Sequence, residues 1–163
     1  MAEATPLYLI RLAVRRELED LNAGDTVIVA ASGGADSSAL AAALLLECES
    51  KAIKVVALIV DHSLQKNSAD VAHQAKKELT KIGYENIEIR KISVEITDGI
   101  EASARRARYV ALNDVAQQHK AVAIFMGHTK DDQAETVLLG LARGSGTRRS
   151  EEHTSELQSP YVI

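Results

Sequence analysis

Residues Thr26 to Leu46 read TVIVAASGGADSSALAAALLL, and the fold turns on this stretch. Val27 to Ala31 is short, apolar and rich in β-branched residues, the composition of a buried central strand. From Ala39 onward Ala and Leu dominate, which favours a helix that starts near Asp36 to Ser38. SGGADSS lies between them. Gly33 and Gly34 carry no Cβ, so the backbone can bend sharply and bring its N–H groups close to an anion. The helix start adds amides without intrahelical acceptors and the positive end of its dipole. Together these parts make an anion cradle. A plainer reading stays open: Asp36 or Ser37 caps a helix, and the glycines make a tight turn. A kinase-type phosphate loop does not fit, because no Lys occurs between Thr26 and Glu47, and the spaced glycines of a dinucleotide fingerprint are missing too.

With 163 residues, 46% of them hydrophobic, the chain has room for one domain with a real core. A formal net charge of −4 is not the footprint of a general nucleic-acid binder, so any RNA contact has to come from local patches. The one cysteine rules out an internal disulfide and fits a reducing compartment, so the expected location is cytoplasmic. The opening MAEATPLYLIRLAVRRELEDL threads arginines and acids through its apolar residues and reads as neither signal peptide nor membrane span.

Around the central stretch the chain alternates helix and strand. Leu7, Ile10, Val14, Leu18 and Leu21 recur at three- and four-residue steps and predict an opening helix, with Pro6 in its first turn and Gly24 at its exit. Leu40, Leu44 and Cys48 form one stripe, which makes Cys48 a small buried hydrophobe rather than a reactive thiol. Lys54 to Val60 predicts a second buried strand, ending in Asp61 and His62 beside the glycine bend. That pair is either part of a ligand crevice or a turn starter plus a surface histidine. A helix from Ser68 to Ile82 closes at Gly83, and Ile87, Ile89 and Ile92 mark a half-exposed third strand.

Gly99 to Lys120 is helical by composition and places Glu101, Arg105, Arg108 and Leu112 on one face, with Tyr109 adjoining. The face is either a solvated ion-pair stripe or an arginine clamp for phosphate. Ala121 to Met126 is a fourth strand and runs into GHTKDDQAETVLLGLARGSGTR. His128 stands at the strand end, and Asp131, Asp132 and Glu135 open a helix. Acids suit a helix N-terminus for dipole reasons alone, and carboxylates at such an edge also suit Mg²⁺. Four strands alternating with helices predict an α/β fold with a parallel sheet.

SGGADS (Ser32 to Ser37) matches the pyrophosphate loop of the N-type ATP pyrophosphatases, or PP-loop enzymes. Together with VDHSLQ (Val60 to Gln65), EASARRARY (Glu101 to Tyr109), GHTKDDQAET (Gly127 to Thr136) and LARGSG (Leu141 to Gly146), it resembles the catalytic domain of the tRNA(Ile)-lysidine synthase family. Thr129 departs from that pattern, standing where the family often has His or Asn. The resemblance covers about Asp25 to Thr147. It implies a Rossmann-like PP-loop domain, similar to the adenine nucleotide alpha hydrolases, with helices on both faces of the sheet.

It also implies a chemistry: a ligase that uses ATP and Mg²⁺ to adenylate the wobble cytidine of a tRNA(Ile) with a C-A-U anticodon, after which free L-lysine displaces AMP. Ser32, Gly33, Gly34, Ala35, Asp36 and Ser37 would hold the phosphates, Asp36 also the metal, and Asp61 and His62 would border the adenine. Asp36, Asp132 and Glu135 are the implied catalytic residues, and Arg105, Arg108, His128 and Arg143 line the substrate side. A homodimer is compatible with this reading, and no membrane partner is expected. The alternatives are another PP-loop tRNA-modifying enzyme of the thiolation type and a non-catalytic ATP-binding fragment. The expected domain spans 1–148. Beyond it, RSEEHTSELQS (Arg149 to Ser159) resembles translated sequencing-adapter text, so 149–163 are expected to be a non-native or disordered tail and this polypeptide a poor enzyme as it stands.

Overall fold

The computed structural model describes residues 6–61, 63, 67–93, 99–127 and 161–162. Helix α1 (Pro6–Glu17) leads into β1 (Thr26–Ala30), α2 (Ala35–Lys51), β2 (Lys54–Asp61), α3 (Ser68–Ile82), β3 (Ile87–Lys91), α4 (Ile100–His119) and β4 (Ala123–Met126). A two-residue strand, β5 (Tyr161–Val162), follows. The sheet order is β3-β2-β1-β4-β5, and every pairing is parallel. The expected α/β architecture is therefore present. A strand of two residues is too short to show periodicity, so β5 left no signal in the sequence.

Each central strand sends alternate side chains to opposite faces, and two cores result. Val27, Val29, Ala57, Ile59, Ala123 and Phe125 pack with Val14, Leu18, Ala41, Leu44, Cys48, Ala72, Ala75 and Leu79, so α1, α2 and α3 supply one face. Ile28, Val56, Leu58, Ile124 and Met126 pack with Leu112, Val115 and Ala116 of α4 on the other. A strand covered on both sides has no polar face to display, which explains the unbroken apolar text of β1.

Several sequence expectations shift in detail. Leu7 is exposed, because α1 buries only the part of its stripe that reaches α2, with Val14 and Leu18 fully enclosed. The helix α1 ends at Glu17, and Gly24 serves instead the turn into β1, with φ +91° and its N–H donating to Ala52 O at 2.9 Å. Gly83 closes α3 as expected, in the left-handed region at φ +119°. Cys48 is buried, and burial pushes its thiol up to about 12, with the nearby Glu47 charge adding to the shift. The hydroxyl of buried Tyr84 donates to Ala41 O at 2.8 Å and ties the α3–β3 turn to α2. Among the described residues no helix is long and apolar enough to cross a membrane. The expected domain boundary at 148 lies outside the described residues.

Helix α1 is held to α2 by charge as well as by packing. The Glu47 side chain is 5% exposed and accepts from Arg11 Nε at 2.7 Å and from Arg15 Nε and Nη2 at 2.9 and 3.2 Å. The Arg15 hydrogen bond lowers the Glu47 pKa, burial opposes it, and the Arg11 hydrogen bond adds to the lowering. A carboxyl whose pKa falls on folding stabilises the native state above its unfolded value, and that stabilisation is lost as pH drops through the lower, folded value. Glu47→Gln is expected to reduce the melting temperature by a few degrees at neutral pH, with the gap to wild type closing as the pH of the melt is taken below the ordinary glutamate range. A gap unchanged by pH would show that the clamp is not electrostatic.

Candidate functional site

In the order β3-β2-β1-β4, the connections leave β1 toward β2 on one side and return to β4 on the other. The carboxyl edge between β1 and β4 is thus the switch point at which open parallel sheets form a crevice. The 32–37 bend sits there. Ala31 N–H still donates to Leu58 O at 2.9 Å, after which the chain leaves the sheet.

The two glycines of the bend do different work. Gly33 has φ +80°, and a Cβ built on it would lie 3.2 Å from the Ala75 methyl carbon of α3, so both conformation and space require glycine. Gly34 has φ −82° and ψ 160°, geometry open to any residue, and a Cβ there would meet only Ser32 Oγ, at 3.5 Å. The sharp bend therefore belongs to Gly33, while Gly34 leaves the cradle open above the helix start. Helix α2 begins at Ala35, slightly earlier than the composition suggests, and Gly34 is its N-cap with no side chain closing it. The amides of the first turn accordingly have neither an intrahelical acceptor nor a side-chain cap.

Ser37 points inward. It is 4% exposed, its Oγ accepts from Ser32 N–H at 3.2 Å and donates to Gly34 O at 3.0 Å, and it lies 3.2 Å from Ser32 Oγ. That hydroxyl staples the bend to the helix. Ser32 and Asp36 are exposed on the rim. The Asp36 carboxylate stands in the first turn of α2, where the helix dipole favours negative charge. Among the described residues no three His, Cys, Asp or Glu side chains form a metal-binding group. Mg²⁺ needs none: it is commonly held by one or two carboxylates plus substrate phosphates, and an exposed carboxylate beside open amides fits that role.

Strand β2 runs three residues past Leu58, the register partner of Ala30, and so carries Asp61 to the same edge. Asp61 is buried, and its Oδ1 accepts from Ser63 N–H at 2.9 Å, the turn-starter geometry. Helix α4 lies on the opposite face. Tyr109 packs against the core cluster of that face, as Ala30 and Val60 do, and Arg105 stands one turn before it on α4. Arg105 and Arg108 are both half-buried, whereas Glu101 is exposed. His62, His128, Asp132, Glu135 and Arg143 lie outside the described residues.

Two residues had no role assigned from the sequence, although Gly127 opens the quoted GHTKDDQAET motif. Gly127, directly after β4, abuts the first turn of α2: a Cβ there would come within 3.1 Å of Ser37 Cα and 3.2 Å of Ser37 N. Ala75 underlies Gly33. Neither carries a functional group, so only their neighbours reveal them.

A model of the PP-loop domain matches residues 10–157. The chain belongs to the PP-loop family. The match includes the 32–37 bend, Asp61, Arg105 and Arg108. Among curated relatives, the tRNA(Ile)-lysidine synthase of Thermobifida fusca is 48% identical over 88% of this chain and 44% of its own length. That of Streptomyces coelicolor is 42% identical over 85% of this chain and 47% of its own, and that of Rhodococcus jostii is 47% identical over 91% and 43%. This PP-loop chain thus spans less than half the length of these relatives. Among solved structures, a U34-tRNA thiolase from Methanococcus maripaludis with its [4Fe-4S] cluster superposes with a TM-score of 0.71 at 20% identity, over 95% of this chain and 56% of the other. The NH3-dependent NAD synthetase of Campylobacter jejuni gives 0.55 at 15% identity, over 86% and 59%. At such identities the likeness concerns the fold alone.

In this PP-loop chain, Ser37→Ala removes a buried hydroxyl and leaves Ser32 N–H and Gly34 O without it. We expect a loss of about 1–2 kcal/mol in stability and faster hydrogen exchange at the Ser32 amide. Unchanged exchange there would show that the bend does not need the staple.

Proposed function

We propose that this chain carries the ATP-binding and adenylating part of a tRNA(Ile)-lysidine synthase. The observation that carries the reading is the 48% identity, along 88% of the chain, to a relative bearing that name. The open amides at a helix start on the carboxyl edge of a parallel sheet supply its physical basis. The C2 oxygen of the wobble cytidine attacks the α-phosphorus of ATP, the bond to the β-phosphate oxygen breaks, and pyrophosphate departs. The amine of free lysine then attacks C2, the bond from C2 to the adenylate oxygen breaks, AMP leaves, and the amine gives up a proton.

In this reading the amides of 33–37 bind the phosphates and stabilise the charge that develops on pyrophosphate. Asp36 holds Mg²⁺, which when bound neutralises phosphate charge. Asp61 and His62 border the adenine. Arg105, Arg108, His128 and Arg143 line the tRNA side, and Asp132 and Glu135 engage the metal or the lysine ammonium. The place of action is the cytoplasm. A thiolation chemistry draws on a reactive cysteine or a cluster ligand, and the single cysteine of this chain is buried, with its thiol pushed up to about 12.

The test is pyrophosphate release from ATP with Mg²⁺, a C-A-U anticodon tRNA and lysine. This chain is assayed beside a version extended at its C-terminus to the length of its relatives. Product from the extended version, dependent on both tRNA and lysine, is expected, with little from the 163-residue chain. ATP binding without product in either would favour a binding module, and robust lysidine formation by the short chain would remove the expectation that it is a poor enzyme.

A further inference from the structure

The bend at 32–37 has to present its amides in one arrangement, yet it contains two glycines and is exposed over most of its length. Its own hydrogen bonds run through Ser37 alone among its buried side chains. Besides these bonds, two neighbours that bear no polar group lie close against the backbone.

On one side, the peptide between Asp36 and Ser37 is backed by Gly127. A Cβ on Gly127 would stand 3.1 Å from Ser37 Cα, 3.2 Å from Ser37 N and 3.4 Å from Asp36 C, all of them backbone atoms and the first two tighter than ordinary contact. Both partners are anchored in the core. The preceding residue, Met126, is buried and in register with Ala30 of β1. Helix α2 is pinned by Ala41, Leu44 and Cys48 in the core and by the Tyr84 hydrogen bond to Ala41. On the other side, the turn at Gly33 rests on Ala75 of α3, a buried methyl with 3.2 Å to the place of a Gly33 Cβ. A methyl has no rotamer to escape into, so a larger side chain at 75 pushes the turn.

We propose that Gly127 and Ala75 are positioning residues of the phosphate loop, two steric stops that hold the 33–37 amides in the arrangement that accepts ATP. The inference rests on the ATP reading of the loop given above. It makes the end of β4 and the middle of α3 part of the nucleotide site through their contact with the bend. Their smallness is then a binding requirement, where core packing alone would ask only that the volume be filled.

The test measures dissociation constants for MgATP and for inorganic pyrophosphate by equilibrium dialysis on the 163-residue chain. Gly127→Ala and Ala75→Val are compared with Ala116→Val, which overpacks the opposite face of the sheet, where Ala116 is equally enclosed. Thermal melts and the amide spectrum of residues 32–38 are recorded alongside. All three substitutions are expected to lower the melting temperature. Only the first two are expected to weaken binding, by about tenfold or more, and to move the amide signals of the bend. If just one of these two variants folds, its affinity alone decides the matter. Wild-type affinity in the folded variants, or equal weakening by Ala116→Val, would overturn the proposal. A wild-type chain that binds neither ATP nor pyrophosphate would instead overturn the ATP reading, and this inference with it.

Discussion

Burial of β1 on both faces is the constraint from which the rest of the molecule follows. Val27 and Val29 face α2 and α3, Ile28 faces α4, and none of the three is exposed to water. A strand so placed must have parallel neighbours on both sides and helices above and below. It has β2 in register from Thr26↔Lys54 and β4 from Val27↔Ala123. Because the chain reaches β2 and β3 before crossing back to β4, the connections run to opposite sides of β1 at its carboxyl end. At that end β1 delivers the glycine bend.

The loop works through backbone more than through side chains. Gly33 supplies a left-handed turn, Gly34 an uncapped helix start and Ser37 an internal staple. Amides fixed by the fold need no reorganisation when a phosphate arrives, which is the physical advantage of such a cradle over a flexible lysine. Asp36 adds an exposed carboxylate in the first turn of α2, beside the amides. The exposed loop is anchored by buried elements: α2 by its core residues and Tyr84, and α1 in turn by the Glu47 clamp.

The plain and the functional readings of several motifs turn out not to compete. Asp61 starts a turn by accepting from Ser63 N–H, and it does so at the edge where the nucleotide reading places it. Arg105 and Arg108 are half-buried beside a tyrosine that packs into the core, an intermediate condition that neither a solvated stripe nor a deep clamp describes. The PP-loop match spans these positions. The geometry explains why the same residues also serve the fold.

Fold class, the order of the elements from α1 to β4 and the glycine bend were legible in the sequence. β-branched runs, helical stripes and glycines before a helix are local patterns, and their physics acts within a few residues. Even the burial of Cys48 followed from its place on an apolar stripe. The distinct duties of Gly33 and Gly34, the inward turn of Ser37 and the exposure of Leu7 were decided only by tertiary packing. So were the roles of Gly127 and Ala75, since a residue that acts by having no side chain, or only a methyl, leaves no chemical mark on the text. Its importance exists as a distance to a neighbour 90 or 42 positions away in the chain, Ser37 for Gly127 and Gly33 for Ala75, and such distances arise only when the sheet brings those segments together.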